Sequence, residues 1–117
     1  LGHVNNVVYY SYFEACVVNF VQTECDNDWM KSPCLPYAAE TSCRFLRPVA
    51  FPSHLDVGLT ITHIGRSSVK YSLALFAQGD EEPSATSEWV HVWVDRNDER
   101  PVPIPETAMN AYTRHKK

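Results

Sequence analysis

Two short polar runs and one lone carboxylate carry the groups best able to do chemistry. The first run is Gly2-His3-Val4-Asn5-Asn6, a polar turn set directly before a long apolar stretch. The opening N–H groups of a helix have no acceptor within it, so a turn at such a junction can aim donors at a ligand oxygen. Asn6 offers a cap and a backbone N–H there. His3 adds an imidazole that either orients a reacting group or braces the turn through a hydrogen bond. The second run is Gly65-Arg66-Ser67-Ser68. Its turn donors, two hydroxyls and bidentate guanidinium suit a phosphate, and the plain alternative is a polar hairpin turn with one exposed Arg. Glu14 is the only acid in the body of the apolar stretch, and Tyr9 and Tyr12 lie near its start as possible pocket walls.

The other reactive side chains point elsewhere. His54, His63 and His91 fall in or beside alternating runs with no shared metal geometry, which favours packing roles. Cys16, Cys25, Cys34 and Cys43 are spaced by nine residues, without a C-x-x-C pair or a His at zinc-finger spacing. Free thiols in a reducing, cytoplasmic setting are expected, and a disulfide framework is not.

The 117 residues suit one domain. A formal charge of −4 without any Lys/Arg run argues against nucleic acid as a partner. No apolar run reaches the roughly 18–20 residues that span a bilayer. The nearest, Val7 to Val21, is interrupted by Ser11, Glu14 and Asn19.

The elements that must position these groups follow from periodicity. A helix is expected from about Asn6 to Glu24, its polar residues confined to half of the circumference. A loop carrying Pro33 and Pro36 comes next. Alternation then predicts strands over 37–47, 55–64, 69–75 and 89–94, with turns at 65–68 and 79–83. A short helix over 106–114 follows Pro105. The pattern predicts an α+β domain in which a curved antiparallel meander wraps one long helix. One sheet face and an open edge strand are left for another subunit, and Trp89 and Trp93 are assigned to that interface, with lining of a ligand pocket as the alternative.

This order of elements resembles the hotdog-fold acyl-CoA thioesterases of the 4-hydroxybenzoyl-CoA thioesterase type. The resemblance runs over nearly the whole chain. It rests on Gly2-His3-Val4-Asn5-Asn6 with Tyr9 and Tyr12-Phe13-Glu14, then Phe45-Leu46-Arg47-Pro48-Val49, Asp56-Val57-Gly58, Ile64-Gly65-Arg66-Ser67-Ser68, and Val94-Asp95 through Pro103-Ile104-Pro105-Glu106.

The resemblance implies one hotdog domain over 1–117 whose first strand lies upstream, and hydrolysis of an acyl-CoA thioester at a subunit interface. The family's principal carboxylate belongs to an Asp three residues before the motif glycine, a position that falls two residues upstream of Leu1, outside the given sequence. The family's carbonyl-polarising donor maps onto the backbone N–H of Asn6, with His3 supporting the site; comparable His positions are catalytic in the plant acyl-carrier-protein thioesterases. Gly2, Tyr9, Tyr12, Glu14, Gly65, Arg66, Ser67 and Ser68 would bind substrate. Val17 stands where the family often carries an Arg, which removes an ion-pair partner for Glu14. The implied assembly is a homodimer, or a pair of dimers, with no cofactor, metal, nucleic acid or membrane. The rival readings are a non-catalytic acyl-CoA or acyl-carrier-protein binding module, a hotdog hydratase, and a purely structural subunit.

Overall fold

The computed structural model describes residues 6–49 and 54–117. Helix α1 covers Asn6–Thr23, and strands β1 to β4 cover Cys34–Phe45, Leu55–Ile64, Ser68–Ala77 and Ala85–Asp95, followed by helix α2 over Glu106–Arg114. Helix α1 ends where the chain turns left-handed at Asp26 (φ 51°), with the N–H of Cys25 donating back to Phe20 O at 3.2 Å. The strands form one antiparallel sheet in the order β1-β4-β3-β2.

Only β2, β3 and β4 form the expected meander. Strand β1 crosses to the far side and pairs with β4, Phe45 opposite Ala85 and Cys34 opposite Asp95. It also starts earlier than the alternation predicts, and Pro36, expected in the loop, lies within it opposite Trp93. An edge strand tolerates this because proline's missing donor need not serve a second neighbour. A bulge between Ala38 and Glu40 explains why alternation along β1 is loose.

Both helices pack on one face of the sheet. Tyr9, Phe13, Val17, Phe20 and Val21 of α1 are buried against it. Val7, Val8 and Tyr12, which the apolar half of the helix would have placed inside, remain exposed. The apolar arc is therefore wider than the strip this sheet covers. Strand β4 turns Ser87, Trp89, His91 and Trp93 toward the helices, while Val90 and Val92 are half-buried on the other face.

The interface assignment of Trp89 and Trp93 is thus corrected: they are 3% and 0% exposed within this one chain. Trp89 packs on Tyr10 at 5.3 Å, and its Nε1–H donates to Ser87 Oγ at 2.9 Å. Both faces of β4 read as apolar, and alternation identifies two faces without saying which is inward.

Under α2 the core holds a polar chain. Trp93 Nε1–H donates to Tyr112 Oη at 3.2 Å, Tyr112 and Tyr71 share a 2.8 Å bond, and Tyr71 lies 3.0 Å from His91 Nδ1. One proton order satisfies each of these contacts: Trp93 to Tyr112, Tyr112 to Tyr71, Tyr71 to a His91 protonated on Nε2. Burial lowers the His91 pKa to about 4, so its imidazole is neutral at pH 7. Burial likewise raises Tyr71 and Tyr112, and pushes Cys25, beside them, up to about 11. All four cysteines are free.

The two sheet edges differ. The C-terminal residues lie along β2, where Ile61 N–H donates to His115 O at 3.1 Å and Lys117 N–H to Ile61 O at 2.9 Å. His115 also meets Glu24 of the α1 terminus at 3.1 Å. Along β1, Tyr37, Ala38, Ala39 and Glu40 are all exposed.

Candidate active site

The start of α1 opens into a cavity of about 290 Å³ lined by Asn6, Tyr9, Phe45, Leu46, Arg47 and Pro48. Its walls are fixed by bonds between residues far apart in sequence. Tyr9 is buried, stacks on Phe45 with ring centroids 5.4 Å apart, and accepts a 3.1 Å hydrogen bond on Oη from the N–H of Val49. The N–H groups of Leu46 and Arg47 both donate to Ser84 O, at 2.9 and 3.2 Å. The segment leaving β1 is therefore clamped between the helix and the start of β4. Asn6 is the first helical residue, so its backbone N–H belongs to the set without an intrahelical acceptor.

A second cavity of about 420 Å³ runs along the next turns of α1, where Tyr12, Cys16 and Asn19 face His54, Leu55 and Val57. His54 pairs with Asp56 at 3.3 Å, both exposed. Burial raises the Cys16 thiol pKa, which works against thiolate chemistry there. Among the described residues, no three His, Cys, Asp or Glu side chains stand together as a metal site.

Of the residues singled out in the sequence, Asn6 and Tyr9 come together at the cavity, with Tyr12 one turn further along the helix. Gly2 and His3 lie outside the described residues. Glu14 is exposed on the helix and lines neither of these cavities. The Gly65–Ser68 turn is elsewhere. Ser68 pairs with Val92, whereas Leu75 pairs with Ala85 at the cavity end, and seven residues of β3 put roughly 24 Å between them. Backbone bonds hold this turn within the chain: Gly65 N–H donates to Ser68 O at 2.7 Å, Ser67 O accepts from Trp93 N–H, and Arg66 O from Ile104 N–H.

Sequence reasoning missed Phe45 and Arg47 as site residues. Their place beside Asn6 depends on pairing β1 with β4 and on a bond between residues 40 apart, Tyr9 and Val49. No local pattern could report that.

The model of the thioesterase-like superfamily matches residues 1–112. Among solved structures, the PA5185 protein of Pseudomonas aeruginosa is 37% identical, with a TM-score of 0.94 over 99% of this chain and 81% of its own. A thioesterase from Thermus thermophilus, solved with coenzyme A and zinc, is 30% identical with a TM-score of 0.78, over 95% of this chain and 84% of that one. A 1,4-dihydroxy-2-naphthoyl-CoA thioesterase from Synechocystis shares the fold at 16% identity, with a TM-score of 0.84 over 96% of this chain and 84% of its own. None of the curated proteins compared with the chain matches it significantly. A long helix and a short one on one face of a four-stranded antiparallel sheet, matched at this level, are the hotdog fold, and the chain belongs to the thioesterase-like superfamily.

Proposed function

We propose that the protein hydrolyses an acyl-CoA thioester, in the manner of the 4-hydroxybenzoyl-CoA thioesterase type, at the start of α1. The observation that carries this reading is the cavity where the helix N-terminus meets the Tyr9–Phe45 pair. The Asn6 N–H would donate to the thioester carbonyl oxygen, where negative charge grows as the tetrahedral intermediate forms. The helix dipole adds to that stabilisation. Water adds to the carbonyl carbon, the C–S bond breaks, and the thiolate leaves to take up the proton that water gave. In this reading an Asp upstream of Leu1 directs the water, and His3 and Gly2 shape the approach.

The reaction exchanges no electrons, and the reading needs no cofactor. Support for acyl-CoA comes from the coenzyme A bound to the Thermus relative. The family signature and the reduced cysteines favour a single hotdog unit working in the cytoplasm. No helix among the described residues is long and apolar enough to cross a membrane.

A second copy is part of the proposal. Strand β1 leaves its outer edge exposed at Tyr37–Glu40, while the C-terminal residues cover part of β2, so a partner would pair along β1. Tyr12 and Glu14 would then act from the face that copy covers. Gly65, Arg66, Ser67 and Ser68 would reach a cavity only as the turn of one subunit serving the other.

Thiol release from a panel of aryl and medium-chain acyl-CoAs tests the reading. Turnover of at least one is expected. Tight acyl-CoA binding without release would instead make the chain a binding module.

A further inference from the structure

We infer that Arg47, rather than Arg66, is this chain's own anchor for an anionic oxygen group of the substrate: a CoA phosphate, or a carboxylate at the far end of the acyl group. This rests on the reading of the α1 cavity as the thioester site.

Arg47 is exposed, yet it is not loosely placed. Its backbone N–H is bound to Ser84 O, Pro48 restricts the backbone of Arg47 before it, and Val49 is tied to Tyr9, so the guanidinium leaves from a fixed point on the rim. Among the described residues it is the only cation lining this cavity, and none of them that lines it is an acid. Among the described residues it forms no ion pair. Arg44, near the end of β1, shares its groove with Glu88. The chain carries a net −4, so an anionic substrate meets general repulsion that a local cation must offset. A guanidinium matches phosphate and carboxylate alike with paired N–H donors. Arg66 lies at the opposite end of β3.

The test compares hexanoyl-CoA, hexanoyl-pantetheine and adipoyl-pantetheine as substrates of the wild type, Arg47→Gln, Arg47→Lys and the charge control Arg100→Gln. Arg47→Gln should raise KM about tenfold for the substrate carrying the recognised anion, with kcat changed less than about twofold. Arg47→Lys should recover part of the loss, and Arg100→Gln should match wild type. A loss on hexanoyl-CoA but not hexanoyl-pantetheine identifies a phosphate, and a loss on adipoyl-pantetheine identifies a carboxylate. Unchanged KM on all three, or an equal loss on uncharged hexanoyl-pantetheine, overturns the assignment. Calorimetry with CoA and with adipate separates this from the hydrolysis reading. Arg47-dependent binding without thiol release removes only hydrolysis, and thiol release indifferent to Arg47 removes only the anchor. Absence of both removes both.

Discussion

The two ends of α1 face the same sheet with opposite chemistry. At the far end, Tyr71, His91, Trp93 and Tyr112 are buried, and their hydroxyls, indole N–H and His91 Nδ1 are joined in one hydrogen-bonded chain. At the near end, Phe45 and Leu46 are 41% and 49% exposed, Arg47 forms no ion pair among the described residues, and a helix N-terminus faces a cavity. Titratable side chains concentrate in the first region, yet its neutral His91 and raised tyrosines make it a structural element. Groups left partly unfinished suit the second to the proposed ligand site. Perturbed pKa values alone would point to the buried end, whereas the proposed site lies at the open one.

The contrast is sharpest in stability. Trp93→Ala should cost about 3–5 kcal/mol in chemical denaturation, since it empties a fully buried site and strips Tyr112 of a donor. A loss below about 1 kcal/mol would mean that the buried end does not hold the fold.

The next effect is pH dependence. The His91 pKa falls from 6.5 unfolded to about 4 folded, so the unfolded chain takes up the proton first as pH drops. The stability linked to neutral His91 is complete above about pH 6.5. It declines by about 3 kcal/mol as pH falls toward 4. Unfolding free energy measured across this window should slope downward in the wild type, and His91→Gln should flatten that slope.

At the near end, Tyr9→Phe should cost about 1–2 kcal/mol by leaving the Val49 N–H without its partner. Its loosened cavity wall should also raise KM. Phe45→Ala should change stability by less than about 1 kcal/mol, because the ring is half out of the core, while weakening substrate binding. If Phe45→Ala destabilised the protein as much as Trp93→Ala, the division between the two ends would fail.

Much of the architecture was legible in the sequence because local rules decide it. Clean alternation over Leu55–Ile64 and the Pro105-Glu106 start of α2 gave those bounds as they stand in the structure. Strand β1 was only partly legible, since an edge position admits Pro36 and a bulge breaks the alternation. The inward face of β4 was not legible, because Trp and Val alternate and both are apolar. The site was half legible. Asn6 and Tyr9 stand out near a helix start, but Phe45 and Arg47 reach them only through long-range pairing, and the Gly65–Ser68 turn is carried away by the length of β3.

The most direct test of the site replaces one backbone donor. Asn6 is the first residue of α1, a position where proline is well tolerated, so Asn6→Pro should keep the helix while removing a single N–H. Thiol release from the best acyl-CoA substrate should fall in kcat by about 100- to 1,000-fold, with KM and thermal midpoint little changed. Full kcat in a folded Asn6→Pro protein would contradict carbonyl polarisation by this N–H at the start of α1.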